Sequence, residues 1–310
     1  MAVERGTMTN RKKDNICGWL LGSLPLIGFA IFMLVPILFS VVMSFNAFPT
    51  NSYSFSDMTS VGFQNFAYMF SDPRLWKSLG NTFIYCLSIP FEMFFGLLFA
   101  YILRKKFFGR RFFRIVYFLP HICSLVALSY AWQYIFNPQD FGLLNQVLHA
   151  FHIPQQRWLA DPKQFKLCVI LVTIWSVFGM NVLLYTASLN SISTTIYEAA
   201  ELDGAGPFTK FFRIVVPLVT PISFYILMTA VIGGLQVYQR PDTMNMDTYR
   251  MGPGDSGLTL VGYMMYARKY PVENGGLGVA AASSLFIAVI IILFTVLNKT
   301  ISKKWVNYND

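Results

Sequence analysis

Apolar residues dominate six stretches of this chain, about 17–44, 79–103, 115–136, 167–189, 217–238 and 278–298, with short stretches rich in Lys, Arg, Gly and Pro between them. A helix that crosses the hydrocarbon core of a bilayer needs roughly 20 such residues. The pattern therefore predicts an all-α integral membrane protein with six transmembrane helices. The run LTLVGYMMYA, residues 258–267, has about half the required length and predicts a helix lying at the outer surface. No period-2 alternation of the kind that builds a membrane barrel is present.

An even number of spans puts both termini on one side, and basic residues decide which side. The N-terminal side holds Arg5, Arg11, Lys12 and Lys13, then Arg104, Lys105, Lys106, Arg110, Arg111 and Arg114, then Lys210 and Arg213, then Lys299, Lys303 and Lys304. The opposite side holds Arg74 and Lys77, then Arg157, Lys163 and Lys166, then Arg240, Arg250, Arg268 and Lys269. The positive-inside rule makes the denser set cytoplasmic, with RKKFFGRRFFR as the strongest vote. The expected organisation is a cytoplasmic tail over 1–16, a transmembrane domain over 17–303 whose loop 190–216 faces the cytoplasm, and a cytoplasmic tail over 304–310. The basic N-terminus resembles a signal peptide. The run after it, however, stays uncharged from Asn15 to Ser56, far beyond a cleavable apolar region, so it is expected to be a retained span. Trp19, Trp132 and Trp305 fall near span ends, as interfacial anchors do.

Composition agrees with this reading. The chain is 55% hydrophobic and 13% charged, against about a quarter charged in soluble domains. Its net charge of +9 is clustered beside apolar runs, a pattern of orientation and not of nucleic-acid binding. Cys17, Cys86, Cys123 and Cys168 all lie in apolar runs without CxxC spacing, which marks them as small hydrophobes and not as metal or disulfide partners.

One inter-span stretch interrupts the apolar pattern with acids, glycines and prolines: EAAELDGAGPFTKFFRIVVPLVTP, from residue 198 to Pro221. Thr195 and Glu198 have capping-box spacing, which predicts a short helix over about 196–203. Gly204 fits the position after a helix end that needs positive φ. Pro207 fits the first turn of a second helix leading to Pro217. Glu198 and Glu201 are helical neighbours and give an acidic face, while Ala199 and Ala200 keep the helix thin. By local physics alone this is either a capped connector or a docking element.

The same residues resemble the EAA loop of binding-protein-dependent ABC importer permeases: Glu198-Ala199-Ala200, Gly204, then Ile214-Val215-Val216-Pro217, with Val216 where Leu is usual. Asp203 before Gly204 also matches. The resemblance covers nearly the whole chain and is strongest to the maltose-type carbohydrate permeases, through Asn81-Thr82, FFRIVYFLP at 112–120, Asn137-Pro138 followed by FGLLN, GGLQVYQRP at 233–241 and GPGDSG at 252–257. It implies an inner membrane location in a prokaryote. It also implies a second homologous permease subunit, two cytoplasmic ABC ATPase subunits, an external solute-binding protein and a carbohydrate cargo. In that family the loop seats in a groove of the ATPase, which makes Glu198, Ala199, Ala200, Asp203, Gly204 and Pro217 the expected coupling residues. The chain has no GxxxxGK[ST] phosphate loop. It is therefore expected to be no enzyme and to carry no cofactor, with ATP and Mg held by the partner ATPase. Glycerol phosphate or another polar solute is an alternative cargo. An intramembrane enzyme and a cargo-free scaffold are alternatives of other classes.

Sugar recognition uses aromatic faces with amides or hydroxyls at the rim. Trp175, Phe178, Asn181 and Tyr185 in the fourth span, and Tyr225, Thr229, Gly233 and Gln236 in the fifth, supply these types at three- and four-residue spacing, facing one cavity or gluing helices together. Glu92 is the only acid inside a span, where a charge costs about 2.5–3.5 kcal/mol unless paired, protonated or hydrated. A structural hydrogen bond is its expected role, ahead of a pathway role or a proton relay. His121 is expected to bond between helices, at a depth different from that of Glu92. Finally, GDSG at 254–257 resembles a serine-protease nucleophile, but the strands and the buried Asp–His pair of that chemistry are missing from the pattern.

Overall fold

The computed structural model describes residues 3–48, 58–104, 108–246, 251–269 and 276–306. Lys105, Lys106 and Arg250, used above to orient the chain, lie outside the described residues, as do the side chains of Arg5, Arg11, Lys12, Lys13 and Arg110 and residues 307–310 of the C-terminal tail.

Contacts divide the chain into two units. The first is formed by residues 1–69 and 267–285. Its first helix, α1 (Val3–Phe29), starts before residue 17, and the stretch apolar enough to cross a membrane begins at Cys17. A π-helical turn over Ala30–Leu34 leads into α2 (Val35–Ser44). The wider turn sits just before Pro36, where a regular ladder would lose a donor and meet the proline ring. The strand pair β1 (Asn46–Ala47) and β2 (Thr59–Ser60) is antiparallel, with Asn46 opposite Ser60. Buried Asn65, at the start of α3 (Gln64–Ser71), closes this corner by donating to the Ser44 and Asn46 carbonyls, both at 2.9 Å.

The second unit, residues 70–266 and 286–310, carries the rest. Helices α4 (Pro73–Cys86) and α5 (Ser88–Ile102) meet at Leu87. Next come α6 (Arg110–Ile122), α7 (Leu125–Ile135), α8 (Leu143–Ala150) and the 30-residue α9 (Pro162–Ser191). Asp161 starts α9 by accepting from the Gln164 and Lys163 N–H groups. These bonds, Gln164 first, hold its carboxyl below the usual carboxylate range. After α10 (Thr194–Leu202) and α11 (Pro207–Lys210), a second π-helical turn at Phe211–Val215 joins α12 (Val216–Leu218). The chain ends through α13 (Thr220–Leu235), α14 (Gln239–Met244), α15 (Leu260–Lys269) and α16 (Gly276–Ser302), of which the end of α15 and the start of α16 belong to the first unit.

Four helices or helix pairs among the described residues are long and apolar enough to span a membrane unbroken. The other two expected spans are bent. The run expected as 115–136 breaks by 100° between α6 and α7, because Cys123 and Ser124 take extended ψ values of 151° and 124° and open the helical ladder. The run expected as 217–238 bends by 69° at Val219. Pro221 has no N–H for a helical bond, and its ring would strike the carbonyl four residues earlier, at Pro217. Hydropathy counts both runs as continuous because neither break changes composition.

The tightest crossing is that of α5 with α9. A Cβ on Gly96 would lie 2.6 Å from the Asn181 Cβ, so only glycine allows this approach. Gly234 likewise lets α13 approach α4, where a Cβ would stand 2.9 Å from Cys86 Sγ. Around the α5–α9 crossing Leu97, Val182, Tyr185, Phe211, Val215 and Ile226 form one core cluster. A second gathers Tyr85, Phe136, Phe165, Val169 and Met244.

Two long loops are held by amides. Asn81 Nδ2 donates to the Asp255 and Leu258 carbonyls at 2.8 and 2.9 Å, Thr82 Oγ1 accepts from Leu260 N–H at 3.0 Å, and Tyr85 Oη donates to the Ser256 carbonyl at 2.7 Å. These bonds fasten the 252–260 loop to α4. Leu258, Leu260, Tyr263 and Ala267 are buried, so the short apolar helix packs one face against the protein. Buried Asn145 donates to the carbonyls of Asn137, Gln139 and Gln156 and accepts from Trp158 Nε1 at 2.8 Å. Trp132 stacks on Phe136 and meets Trp175 edge-on. It is half-buried against the second cluster.

Gly96→Ala is expected to cost about 1–3 kcal/mol through overpacking against Asn181, read as a lower thermal unfolding midpoint in detergent. Gly80→Ala, where a Cβ meets nothing within 4 Å, is expected to leave that midpoint unchanged or higher.

Candidate functional site

Between α4, α5, α6, α9, α13 and Arg240 of α14 lies a cavity of about 410 Å³. Its α9 wall is Thr173, Val177, Asn181 and Leu184, which fall on one face at about 100° per residue. Its α13 wall includes Tyr225, Thr229 and Gly233. The structure thus brings together four of the eight residues expected along a pathway: Asn181, Tyr225, Thr229 and Gly233.

The other four stand elsewhere. Trp175 lies on the far side of α9 and packs on Trp132, their ring centroids 5.3 Å apart. Phe178 packs between Phe99 and Tyr117. Tyr185 is a core residue whose hydroxyl donates to Ser223 Oγ at 3.1 Å. At about 100° per residue, the stripe 175, 178, 181 and 185 is centred roughly 100° around α9 from the face that lines the cavity, and the two meet only at Asn181. Gln236 lies one residue past the end of α13 and is exposed.

Charged groups at the cavity were only partly anticipated. Glu92 is 3% exposed and lines it, yet its Oε2 has no hydrogen-bond partner among the described residues, contrary to the structural bond expected. Asn181, 5% exposed, leaves its Nδ2 equally unpartnered. Arg240 reaches in from α14 and donates through Nη1 and Nη2 to Thr173 and Ser176 at 3.0 and 2.9 Å. It forms no ion pair with Glu92 within contact distance among the described residues. His121 also lines the cavity with Glu92, and no interhelical hydrogen bond to it is present among the described residues. Arg240 was missed because it follows the fifth apolar run. Its signal was a cation two residues beyond Val237-Tyr238, too close to the span to be a free loop charge.

At the other candidate site, α10 and α11 form a hairpin. Ser193, and not the Thr195–Glu198 pair, caps α10: its Oγ accepts from Thr195 N–H. The helix closes with Ala205 N–H donating to the Ala200 carbonyl and Gly204 N–H to Glu201, at 2.9 and 3.1 Å, while Gly204 holds φ +71°. This is a Schellman ending, and the left-handed position favours glycine. Pro207 takes the first position of α11. Lys210 donates to Glu201 Oε1 at 2.8 Å across the hairpin, so Glu201 is paired and Glu198 and Asp203 are left as the acids of the outward face. Ala200 and Tyr197 face inward, whereas Glu198, Ala199, Asp203 and Gly204 face outward. Leu202 and Phe208, 90% and 81% exposed, flank them. These two apolar side chains were not singled out from sequence, where they read as ordinary members of an apolar chain. Pro217 belongs to the bend below, not to the exposed face. The hairpin is tied to the end of α5: the Arg104 guanidinium lies 3.5 Å over the Tyr197 ring, and the rings of Tyr101 and Phe211 are 5.3 Å apart.

In the GDSG segment Ser256 is buried and its Oγ has no hydrogen-bond partner among the described residues. The segment serves to dock the loop on α4 through the Asp255 and Ser256 carbonyls.

Comparison with known proteins adds the following. Residues 92–307 match the family model described as binding-protein-dependent transport system inner membrane component. The chain is similar to the probable ABC transporter permease protein YurN of Bacillus subtilis (strain 168), 32% identical over 85% of this chain and 89% of the relative. It is similar to the arabinooligosaccharides transport system permease protein AraP of the same organism, 28% identical over 86% of this chain and 82% of the relative. Its fold matches a chain of a bacterial alginate ABC transporter crystallised in complex with an alginate pentasaccharide-bound periplasmic protein. The TM-score is 0.77 at 22% identity, over 94% of this chain and 96% of that one.

In a cysteine-free background, Thr229→Cys is expected to react with a small water-soluble thiol reagent, because it lines the cavity. Tyr185→Cys, at a buried core position, is expected to react at least about tenfold more slowly, as followed by mass spectrometry of the modified chain.

Proposed function

The chain belongs to the family of binding-protein-dependent transport system inner membrane components, and from that premise we propose that it is a translocation subunit of an ATP-driven importer of carbohydrates, oligosaccharides above all. In this reading the chain pairs with a second homologous permease, receives solute from an external binding protein, and is driven by two ATPase subunits on the cytoplasmic side that hold ATP and Mg. Both termini and the α10–α11 hairpin face the cytoplasm, as the distribution of Lys and Arg argues. The cargo reading draws support from AraP and from the alginate transporter, whose names concern oligosaccharides and an acidic polysaccharide.

The observation that carries the coupling proposal is the outward face of the hairpin. Glu198, Ala199 and Asp203 present charge and a thin helix surface beside bare Leu202 and Phe208. Apolar side chains ringed by polar ones are the usual composition of a docking patch. The ATPase takes hold of this face, with Glu198 available for a basic partner. Gly204 fixes the elbow, and the bend at Pro217 and Pro221 carries movement into α13. Since α13 forms one wall of the cavity, motion at the hairpin reaches the proposed path of the solute through a single continuous segment. The cavity, with Asn181, Tyr225, Thr229 and Gly233, is the solute's route past this subunit.

The test is uptake in vesicles reconstituted with the assembled transporter. Glu198→Lys reverses the proposed docking charge. Gly204→Pro forces φ to about −65° where the hairpin needs a positive value. Either change is expected to lower ATP-driven uptake at least about tenfold, equivalent to about 1.4 kcal/mol, while membrane insertion and the ATPase's own hydrolysis persist. Uptake unchanged by the double variant would refute the reading.

A further inference from the structure

We propose that Arg104 is a positioning residue for coupling. Clamped on the face of Tyr197, it makes the α10–α11 hairpin and the α5–α9 pair move as one body, so that work delivered to the hairpin reaches the α5 wall of the cavity. The inference rests on the docking of a driving subunit at the hairpin proposed above, while the clamp itself stands on contacts within this chain.

The hairpin hangs between two breaks. Where α9 ends, Ile192 and Ser193 leave the helical region with ψ of 127° and 136°, so no helical ladder runs from α9 into α10. Within the hairpin, Gly204 at φ +71° and Gly206 at ψ 169° separate α10 from α11. Beyond α11 the chain bends by 69° at Val219. A helix joined to its neighbours only through such breaks swivels when pushed, and a few backbone torsions absorb the displacement. Something besides the two connections must hold its angle.

Three contacts with the end of α5 do so. The Arg104 guanidinium lies 3.5 Å over the ring of Tyr197 on α10. Tyr101 Oη donates to the carbonyl of Pro207 on α11 at 3.4 Å. The Tyr101 ring stands 5.3 Å from that of Phe211 in the π-helical turn. Arg104 is itself fixed, because its N–H donates to the Tyr101 carbonyl and that of Leu103 to Phe99, closing the last turn of α5. No acid lies within ion-pair distance of Arg104 among the described residues. Its Nη1 and the Tyr197 Oη are both buried and without a hydrogen-bond partner among those residues. The ring face is therefore the partner of the cation, and attraction of this kind is strongest where water is kept away.

From Arg104 the path runs along α5. Gly96 lets α5 press onto Asn181 of α9, and Ser88, Ile89 and Glu92 line the cavity. The clamp thus holds one end of a rod whose other end is cavity wall. Without it, hairpin and cavity are joined only through the breaks at 192–193 and Val219.

The experiment uses the assembled transporter in vesicles, in a cysteine-free background, with two readouts on separate samples. One is the width of the distance distribution between spin labels at Leu183→Cys of α9 and Thr209→Cys of α11, both exposed positions, by double electron–electron resonance. The other is the alkylation rate of Ser88→Cys by a small thiol reagent, with the transporter nucleotide-free and then trapped with ATP and vanadate. Without further change the distribution is expected to be narrow, and trapping to alter the Ser88→Cys rate at least about fivefold. Arg104→Gln and Tyr197→Leu are expected to broaden the distribution and to abolish the effect of trapping while ATP hydrolysis persists. Arg104→Lys and Tyr197→Phe, which keep the cation and the ring face, are expected to preserve both. Tyr197→Leu carries the test if Arg104→Gln does not assemble. A narrow distribution in the clamp-breaking variants overturns the clamp whatever docks on the hairpin. A broad distribution with the trapping effect intact overturns its role in coupling, and equal losses in Tyr197→Phe and Tyr197→Leu overturn the ring face as its basis. Glu198→Lys separates the two readings, because it is expected to abolish the trapping effect while the distribution stays narrow. A Ser88→Cys rate that trapping never moves, with the clamp intact, overturns the docking reading and the coupling role with it.

Discussion

The close crossing of α5 and α9 is the contact on which the second unit depends. Neither helix gains much by burying apolar surface in a lipid environment, because the tails around it are as apolar as leucine. Association rests instead on shape, and shape here rests on the missing side chain of Gly96. With the axes that close, Val182, Tyr185 and Leu189 on α9 mesh with Leu97 and Ala100 on α5. The same approach brings Glu92, one turn before Gly96, to the cavity wall opposite Asn181. Packing and chemistry are thus set by one steric allowance: the residue that permits the crossing also decides which polar atoms look at each other.

The bends follow from a different constraint. In a bilayer every backbone N–H and C=O needs a partner, and broken helices survive only where protein or enclosed water supplies one. The 69° turn at Val219 lies in the core cluster, with Val219 itself fully buried, and the Thr220 hydroxyl donates to the Pro217 carbonyl at 2.8 Å. The bend is therefore sheltered and satisfied. It separates α13, a cavity wall, from the π-helical turn and α11, part of the hairpin. A rigid rod would have carried every displacement straight through; a satisfied break at this point gives the two ends separate orientations.

Much of this was legible in the sequence, and the failures have physical causes. Apolar run length located the long helices because hydrophobic thickness is a property of composition. It missed the breaks at Cys123–Ser124 and Val219, which are backbone events. The EAA motif located the hairpin, and Gly204 announced its positive φ, but the cap fell to Ser193, because the helix starts at Thr194 and the Thr195 hydroxyl pairs with that of Ser193. Half of the residues expected along a pathway line the cavity. Asn181 and Thr229 stood out as polar groups on apolar helices, yet Trp175, Phe178 and Tyr185 were drawn in by spacing alone, which ignores the angle each step adds around the helix. Arg240 lay outside any motif, and its place in the cavity is set by α14 folding back toward Thr173 and Ser176.

The bare surfaces of α1 and α2 have a consequence for the life of the chain. None of the most apolar stretch between Cys17 and Ser44 is buried by the protein itself, and Leu202 and Phe208 stand uncovered on the hairpin. Lipid can shield the first surface. On the docking proposed above, the second is covered only by a partner, and a copy left without one would display exposed apolar residues, the usual trigger for aggregation or proteolytic removal. On that reading the abundance of the chain would follow the supply of its partner and not its own translation rate.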